Sequence, residues 1–429
     1  LWRMTAMNKI FNSIPLPTRA PDGEYDCGRG SYMLLWSDSS PDEFERLCGD
    51  ITASGFKLFD RTDIEGSIHC TFAGKPVLHA WYCPCERALR LTADPYTALY
   101  NTAPERCERK YGNTLWQFEV DHSLIDCGMC YIVRCCDGSF FVIDSAHMYS
   151  VNDDIRIIEF LRKLNGGAKP TVAGWFFSHG HEDHVAKFSD ILEFRSDEVD
   201  IETVYYNFPS YGHPDNEEWG ECGKQVMHRF ERELDEHPEI KKVRLHTGQR
   251  FFVRDLEFSV LCTHEDIYPN PLSNFNDSST AIMMTAGGCK VLFPGDCAAE
   301  SDKVFLRRYH DALKCSVVQV SHHGHSGTSS EFYRRAGAEC VLFPITEIKF
   351  AEEWDKQEPN RVAADIAKEY HIASNGTVEI PLPYSFGGTK RLPDETFEDF
   401  DGIFALWCYE YTDEYKEKLR REFLERSKG

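Results

Sequence analysis

One stretch of the sequence concentrates residue types that bind metal ions. His179-Gly180-His181-Glu182-Asp183-His184 places three histidines and two carboxylates within six residues. The apolar run from Val172 to Phe177 precedes it, so we predict a strand that ends in a loop, with a helix beginning where the loop ends. Neutral imidazoles and carboxylates suit zinc, manganese or iron. Because burying so dense a polar cluster costs free energy unless something binds to it, the stretch predicts a metal site.

Two later stretches again place metal-ligand residues after predicted strands. Asn276-Asp277-Ser278 opens a pair of strands that turns at Gly287-Gly288 and ends in Gly295-Asp296. A buried-type strand from Ser316 to Val320 then leads into Ser321-His322-His323-Gly324-His325-Ser326. Three histidines within four residues favour a second set of metal ligands over a plain connection.

The motif H-x-H-x-D-H at 179–184 resembles the signature of the metallo-β-lactamase fold, an αββα sandwich of hydrolases, most with two metals. The order H-x-H-x-D-H, N-D-x-S, G-D and S-H-H-G-H-S more specifically resembles the metallohydrolase domain of the DNA-internalisation competence proteins and their stand-alone relatives. The resemblance covers roughly residues 118 to 385. It implies an α/β chain with this sandwich. Because those relatives act mainly on phosphodiester-type bonds, it also implies that chemistry.

The resemblance implies two divalent metal ions, zinc or manganese. His179 and His181 would hold the first ion, and Asp183 and His184 the second. Asp296 would bridge the two, because a carboxylate has two oxygens and the glycine before it allows a close approach.

One further ligand of each ion stays open in the sequence. One residue of the pair His322-His323 would complete the second ion's site. For the first ion, many superfamily members use a further histidine, where this chain has Asn276-Asp277. We expect Asp277 as the ligand, with Asn276 beside it, and an oxygen ligand there would favour manganese over zinc. His213 and His264 are the rivals for that role.

The implied mechanism is attack by a metal-bound hydroxide, formed because the ions lower the pKa of water. Asp183, His323 and His325 are the expected catalytic residues, and His325 or Ser326 would protonate the leaving oxygen. Asp144, which follows two predicted strands, would support the metal loop from behind.

Two other functions remain possible for this pattern. A hydrolase of another bond, such as a thioester, lactone or amide, is compatible with the fold. A non-catalytic scaffold could keep the metal for stability alone, although such a scaffold has no need of an open metal pair.

Composition restricts the partners. Lys+Arg number 47 and Asp+Glu 70, which gives 47 − 70 = −23. Long nucleic acid is therefore disfavoured, and a small or short phosphodiester is the expected substrate. We found no apolar run of 18 residues or more and no leader-like segment at the start. We therefore expect no membrane association and a cytoplasmic protein, with a second copy of the chain as a candidate partner.

The pattern predicts three parts: an accessory α+β domain over 1–115, the hydrolase domain over 116–385, and a C-terminal extension over 386–429 with a terminal helix. In the accessory domain His69 and His79 alternate with apolar residues, which is typical of strands. The seventeen cysteines show no disulfide framework. Cys127-Gly128-Met129-Cys130 admits a second metal or redox site, but small buried side chains are the preferred explanation.

Overall fold

The computed structural model describes residues 10–11, 14–150, 152–211, 220–272 and 275–393. His213 and the predicted C-terminal helix lie outside these ranges, so both stay predictions. None of the helices in the described ranges is long and apolar enough to cross a bilayer.

The first part of the chain forms a six-stranded antiparallel sheet with one helix on one face. The strands, in the spatial order β1-β2-β6-β5-β4-β3, are β1 (Gly23–Gly28), β2 (Ser31–Trp36), β3 (Lys57–Ile64), β4 (Ser67–Ala73), β5 (Val77–Cys83) and β6 (Ala88–Asp94). Helix α1 (Pro41–Ala53) begins after Ser40, whose hydroxyl accepts a hydrogen bond from the Glu43 backbone N–H. Phe44 and Ile51 of this helix pack against the sheet. The helix and the sheet give the first part of the chain the α+β composition that the sequence predicted.

The second sheet has nine strands, most of them parallel to a neighbour. In the spatial order β13-β12-β10-β9-β8-β7-β21-β22, with β11 beside β10, they are β7 (Thr114–Gln117), β8 (Tyr131–Arg134), β9 (Phe140–Ile143), β10 (Thr171–Phe176), β11 (Asp200–Ile201), β12 (Thr203–Tyr206), β13 (Lys241–Arg244), β21 (Val378–Pro381) and β22 (Lys390–Arg391). Its outer face is covered by helices α2 (Asp153–Leu164), α3 (Glu182–Arg195) and α4 (Gly220–Glu236).

The third sheet has seven strands and its own layer of helices. The strands are β14 (Arg250–Val253), β15 (Leu256–Cys262), β16 (Ala281–Ala286), β17 (Cys289–Phe293), β18 (Val317–Gln319), β19 (Cys340–Phe343) and β20 (Glu369–Ile372), in spatial order. The helices are α5 (Ala299–Arg308), α6 (Ser330–Ala336), α7 (Glu347–Trp354) and α8 (Glu358–Ile366). Buried apolar residues join this layer to the sheet.

The second and third sheets face each other across one apolar core. Phe141 of β9 and Phe258 of β15 meet in it, with ring centroids 4.2 Å apart. The order helices, sheet, sheet, helices is the αββα sandwich of the metallo-β-lactamase fold, which confirms the predicted fold class. Strands β10, β17 and β18 end where the three histidine- and aspartate-rich loops begin, so the sandwich brings these loops to one edge.

The face of the first sheet opposite α1 packs on the sandwich through buried charged groups. Trp81 of β5 contacts the guanidinium groups of Arg90 and Arg308, whose central carbons lie 4.0 and 4.6 Å from the centre of its ring. Both arginines contact Asp266 at 2.6 Å, and Arg308 also contacts Glu86 at 2.7 Å. Since Arg308 and Asp266 belong to the sandwich, these ion pairs join the two parts of the chain.

A histidine-centred cluster lies in the same interface. His246 Nε2 is 2.5 Å from Asp94 Oδ2, and its Nδ1 is 2.7 Å from Glu265 Oε1. Both ring nitrogens must donate to carboxylates, so His246 is an imidazolium. The distance between His246 Nε2 and Asp94 Oδ2 is that of a hydrogen bond, and it is shorter than the separation of two ligand atoms on one metal ion. His69 and His79 are strand residues, as predicted, but their rings also face this cluster.

Candidate metal centre

Four ligand atoms converge at the edge of the sandwich, two from the first turn of α3 and one from each of two loops. They are the Nε2 atoms of His184 and His323 and the Oδ2 atoms of Asp183 and Asp296. The five measured separations among them lie between 2.9 and 3.4 Å. Ligands placed tetrahedrally around zinc are about 3.3 to 3.6 Å apart. The four atoms therefore have the spacing of ligands around one ion.

The hydrogen bonds behind the two histidines determine which ring nitrogens face the cluster unprotonated. His184 Nδ1 lies 2.7 Å from Asp144 Oδ2, and His323 Nδ1 lies 2.7 Å from the carbonyl oxygen of Pro344. Carboxylate and carbonyl oxygens only accept, so both Nδ1 atoms carry the proton. In the neutral rings the two Nε2 lone pairs and two carboxylate oxygens face one another with no donor among them. Such a set fits a cation.

The same geometry attracts protons when no cation neutralises it. Burial opposes the charge on His323, but Asp296 and Asp183 outweigh burial and raise its pKa to about 10. His184 follows the same pattern. Burial lowers its pKa, whereas Asp183, Asp296 and Asp144 together hold the pKa well above its usual range. The cluster requires positive charge, which either protons or a metal ion can supply.

A second group of ligand atoms adjoins the first. His179 Nε2 is 3.0 Å from His181 Nδ1 and 3.9 Å from Asp296 Oδ2. The other oxygen of that carboxylate, Oδ1, is buried and has no hydrogen-bond partner among the described residues. The atoms present therefore fit a second ion on the His179 side, with Asp296 between the two positions.

Asp144 orders the first metal loop from below. Its Oδ1 accepts from the Ser178 backbone N–H at 2.8 Å, and its Oδ2 accepts from the Ser178 hydroxyl at 2.8 Å. The Ser178 oxygen then lies 3.1 Å from His179 Nδ1, which donates to it. One buried carboxylate thus sets the proton positions of both His179 and His184.

Backbone conformation also shapes the segments that carry the ligands. Gly295 has φ +61°, and a Cβ there would lie 2.7 Å from Ser178 Cβ, so the chain needs glycine before Asp296. His322 and His323 have φ values of 50° and 53° in the left-handed region. Strained conformations of this kind cluster at functional sites.

The structure separates the two histidines that the sequence left open. His323 joins the four-atom cluster. His322 instead accepts a hydrogen bond at Nε2 from the Asn276 side-chain amide, 3.1 Å away. Its lone pair is therefore already used, and it lies at the rim.

The third ligand of the His179 ion keeps an oxygen candidate. Asn276 Oδ1 is buried and has no hydrogen-bond partner in the described part of the chain. Asp277 is buried beside it. The rival His264 lies elsewhere, because its Nε2 contacts Asn207 and its ring packs near Tyr268.

His325 and Ser326 lie on the rim next to the cluster. The His325 ring is 5.7 Å from that of His322, and its Nδ1 is 3.9 Å from Glu353 Oε1. Burial and the neighbouring histidines lower its pKa to about 4, so the ring is neutral at pH 7. A cavity of about 220 Å³ adjoins both residues, lined by hydroxyl and amide groups that include Thr328 and Asn360.

One residue beside the cluster, His147, was missed from the sequence. His147 accepts at Nδ1 from the Tyr149 N–H, and its Nε2 is 4.0 Å from Glu182 Oε1. It follows Asp144 by three residues, and this spacing was the available signal. Cys127 lies beside Asp183; burial, then that carboxylate, raises its thiol pKa well above the usual range. Cys130 of the same motif packs in the apolar core, as preferred. Every cysteine with a described side chain is a free thiol.

No family model matches this chain, and no curated protein sequence matches it. Solved structures similar to it include the metallo-β-lactamase fold protein YhfI from Bacillus subtilis, at 11% identity and a TM-score of 0.37, covering 61% of this chain and 96% of that one. A diphosphatase from the PhnP family has 15% identity and a TM-score of 0.33, covering 54% and 86%. A long form RNase Z from yeast has 7% identity and a TM-score of 0.39, covering 69% and 52%.

Proposed function

We propose that the chain is a metal-dependent hydrolase that cleaves a phosphodiester-type bond in a small or short substrate. The convergence of four ligand atoms with no donor among them carries this proposal, because it calls for positive charge at the edge where the histidine loops meet, and a metal ion would supply that charge. Two divalent ions, when bound, would supply a nucleophile from water near neutral pH and neutralise charge on phosphoryl oxygens.

Each residue's role follows from its position in the site. Asp183, His184 and His323 would hold one ion. His179 and His181 would hold the other, and Asp296 would lie between them. The hydrogen bonds of Asp144 and Ser178 keep the ligand rings oriented.

The rim residues would act on the substrate itself. His322 and His325 can donate N–H groups to phosphoryl oxygens, because neither joins the four-atom cluster. His325 is neutral at pH 7, so its ring N–H would donate a hydrogen bond to the leaving oxygen while water supplies the proton. Glu353 Oε1 lies 3.9 Å from His325 Nδ1 and would help to orient the ring.

Support for a phosphodiester over a carbonyl substrate comes from the motif order in the sequence. Support for a short substrate comes from the net charge of −23, which repels a long phosphate backbone. Zinc and manganese remain alternatives as the metal. Cytoplasmic location and self-association are proposals of the same kind.

The test is hydrolysis of an aryl phosphodiester by protein reloaded with manganese or zinc. Asp183→Asn keeps the side-chain volume but removes a ligand, and we expect a loss of roughly 100-fold or more, since even partners outside the ligand set contribute 10- to 100-fold. Asp311→Ala, at a side chain 83% exposed beside Lys314, is the matched control and should keep full turnover.

The outcome separates the candidate functions. Equal rates in wild type and Asp183→Asn would reject the assigned centre. No phosphodiester turnover by protein with both ions bound would reject phosphodiester chemistry. A panel of thioesters, lactones and amides would then distinguish a carbonyl hydrolase from a scaffold.

A further inference from the structure

A second group of metal-ligand side chains lies at the opposite end of the third sheet. Strands β17 to β20 run parallel, so their first residues share the edge remote from Asp296 and His323. Cys340 begins β19 and Glu369 begins β20, and the two are paired in register. His371 follows on the same face as Glu369, because side chains two residues apart on a strand point the same way.

The three side chains are close enough to share one ion. A ligand atom of each lies within 4.8 Å of the others, and His371 Nε2 is 3.7 Å from Glu369 Oε2. Cys340 is fully buried and His371 is 9% exposed.

His371 supplies an independent indication that a partner is missing. Both of its ring nitrogens are buried, and neither has a hydrogen-bond partner among the residues that the structure describes. A buried imidazole with two unsatisfied nitrogens is costly and calls for an explanation. Burial outweighs the pull of Glu369 and lowers the pKa of His371, so the ring is neutral and can offer a lone pair.

Glu369 is held in the way that metal-binding carboxylates are held. The Tyr384 hydroxyl donates to Oε1 and the Thr389 hydroxyl donates to Oε2, each at 3.0 Å. These donors fix the carboxylate while leaving each oxygen a further lone pair. Both come from the segment between β21 and β22, which belongs to the second sheet.

We propose that Cys340, Glu369 and His371 bind a zinc-type divalent cation that is separate from the candidate metal centre. Thiolate, imidazole and carboxylate are the ligand types that zinc accepts, with water completing four-fold coordination. The Cys340 thiol loses its proton to solvent as the sulfur–metal bond forms. The ion would hold Cys340, Glu369 and His371 together at the β19–β20 edge, and Glu369 already accepts hydrogen bonds from Tyr384 and Thr389 of the segment between β21 and β22.

The test is a cobalt titration of the full chain followed by its absorption spectrum. Cobalt bound to a thiolate gives a sulfur-to-cobalt charge-transfer band, which a site of histidines and carboxylates lacks. We expect wild type to show the band, and Cys340→Ser and His371→Gln each to lose it together with one equivalent of bound metal. Cys127→Ser is the matched control, because Cys127 is the thiol beside Asp183, and it should keep the band.

If Cys340→Ser does not fold, His371→Gln alone can test the proposal. Neither ring nitrogen makes a hydrogen bond within the described ranges, so this variant should unfold at the wild-type temperature without metal and lose only one zinc-dependent increment. Absence of the band in wild type, its loss in Cys127→Ser alone, or its persistence in His371→Gln would overturn the proposal. Turnover at the candidate metal centre is a separate readout and should survive in Cys340→Ser and in His371→Gln.

Discussion

The His246 imidazolium between the two parts of the chain makes stability depend on pH in a calculable way. Burial opposes its charge, but Glu265 and Asp94 outweigh burial and raise its pKa from 6.5 to about 9. At 1.36 kcal/mol per pKa unit, this shift corresponds to about 3 kcal/mol. Because the folded pKa is the higher one, the contribution is complete below pH 6.5 and is lost as the pH rises through 9.

Several charged or titratable groups face His246 and belong to the same calculation. Asp94 and Glu265 favour its charge, whereas three others oppose it or compete for the same carboxylates: His69, His79 and Arg244. Burial lowers the pKa of His79 well below its usual range, so that ring stays neutral and does not compete for the proton.

The assay compares wild type with His246→Gln by urea unfolding between pH 6 and pH 10. The stability difference between the two proteins should shrink by about 3 kcal/mol from pH 6.5 to above pH 9. Taking this difference cancels His184 and His323, which are present in both proteins. Asp94→Asn should bring the His246 titration measured by NMR down towards neutral pH. A stability difference that is constant with pH, or a His246 pKa near 6.5, would refute the imidazolium assignment.

Four further results are expected. Chelation of metal should lower the unfolding temperature, since an ion present at 100 times its Kd contributes about 2.7 kcal/mol; an unchanged temperature would contradict a bound ion. Gly295→Ala should reduce metal content, measured by elemental analysis, because the new Cβ meets Ser178 at 2.7 Å and φ is +61°; full metal content would show that the loop relaxes. Asp266→Ala should destabilise by about 3–5 kcal/mol in urea, because it leaves Arg90 and Arg308 buried without that carboxylate; a change below 1 kcal/mol would contradict this. His323→Asn should lose metal whereas His322→Asn keeps it and loses turnover; the reverse pattern would exchange their roles.

The metal motifs could be predicted from the sequence because each is local. Strand, loop and ligands are consecutive from Val172 to His184 and from Ser316 to His325, so spacing alone indicates what meets at the strand ends. The choice between His322 and His323 could not be predicted, because it depends on a backbone with positive φ at both residues and on a carbonyl at Pro344. His147 was missed for a similar reason, since only the fold brings its ring to Glu182.

The side-chain clusters that no sequence motif predicts are those assembled from distant segments of the chain. Asp94, His246 and Glu265 come from two parts of the chain and form one ion network only because the first sheet packs face-on against the sandwich. Cys340 and Glu369 are likewise ordinary strand residues until β19 and β20 align in register. Local patterning therefore reveals segments that each carry several ligands at a strand end, whereas tertiary packing is needed to reveal a site whose ligands lie on neighbouring strands. The cation site proposed at Cys340 is a direct test of this difference. Its ligands have no signature in the sequence, and the ring nitrogens of His371 have no hydrogen-bond partner among the described residues.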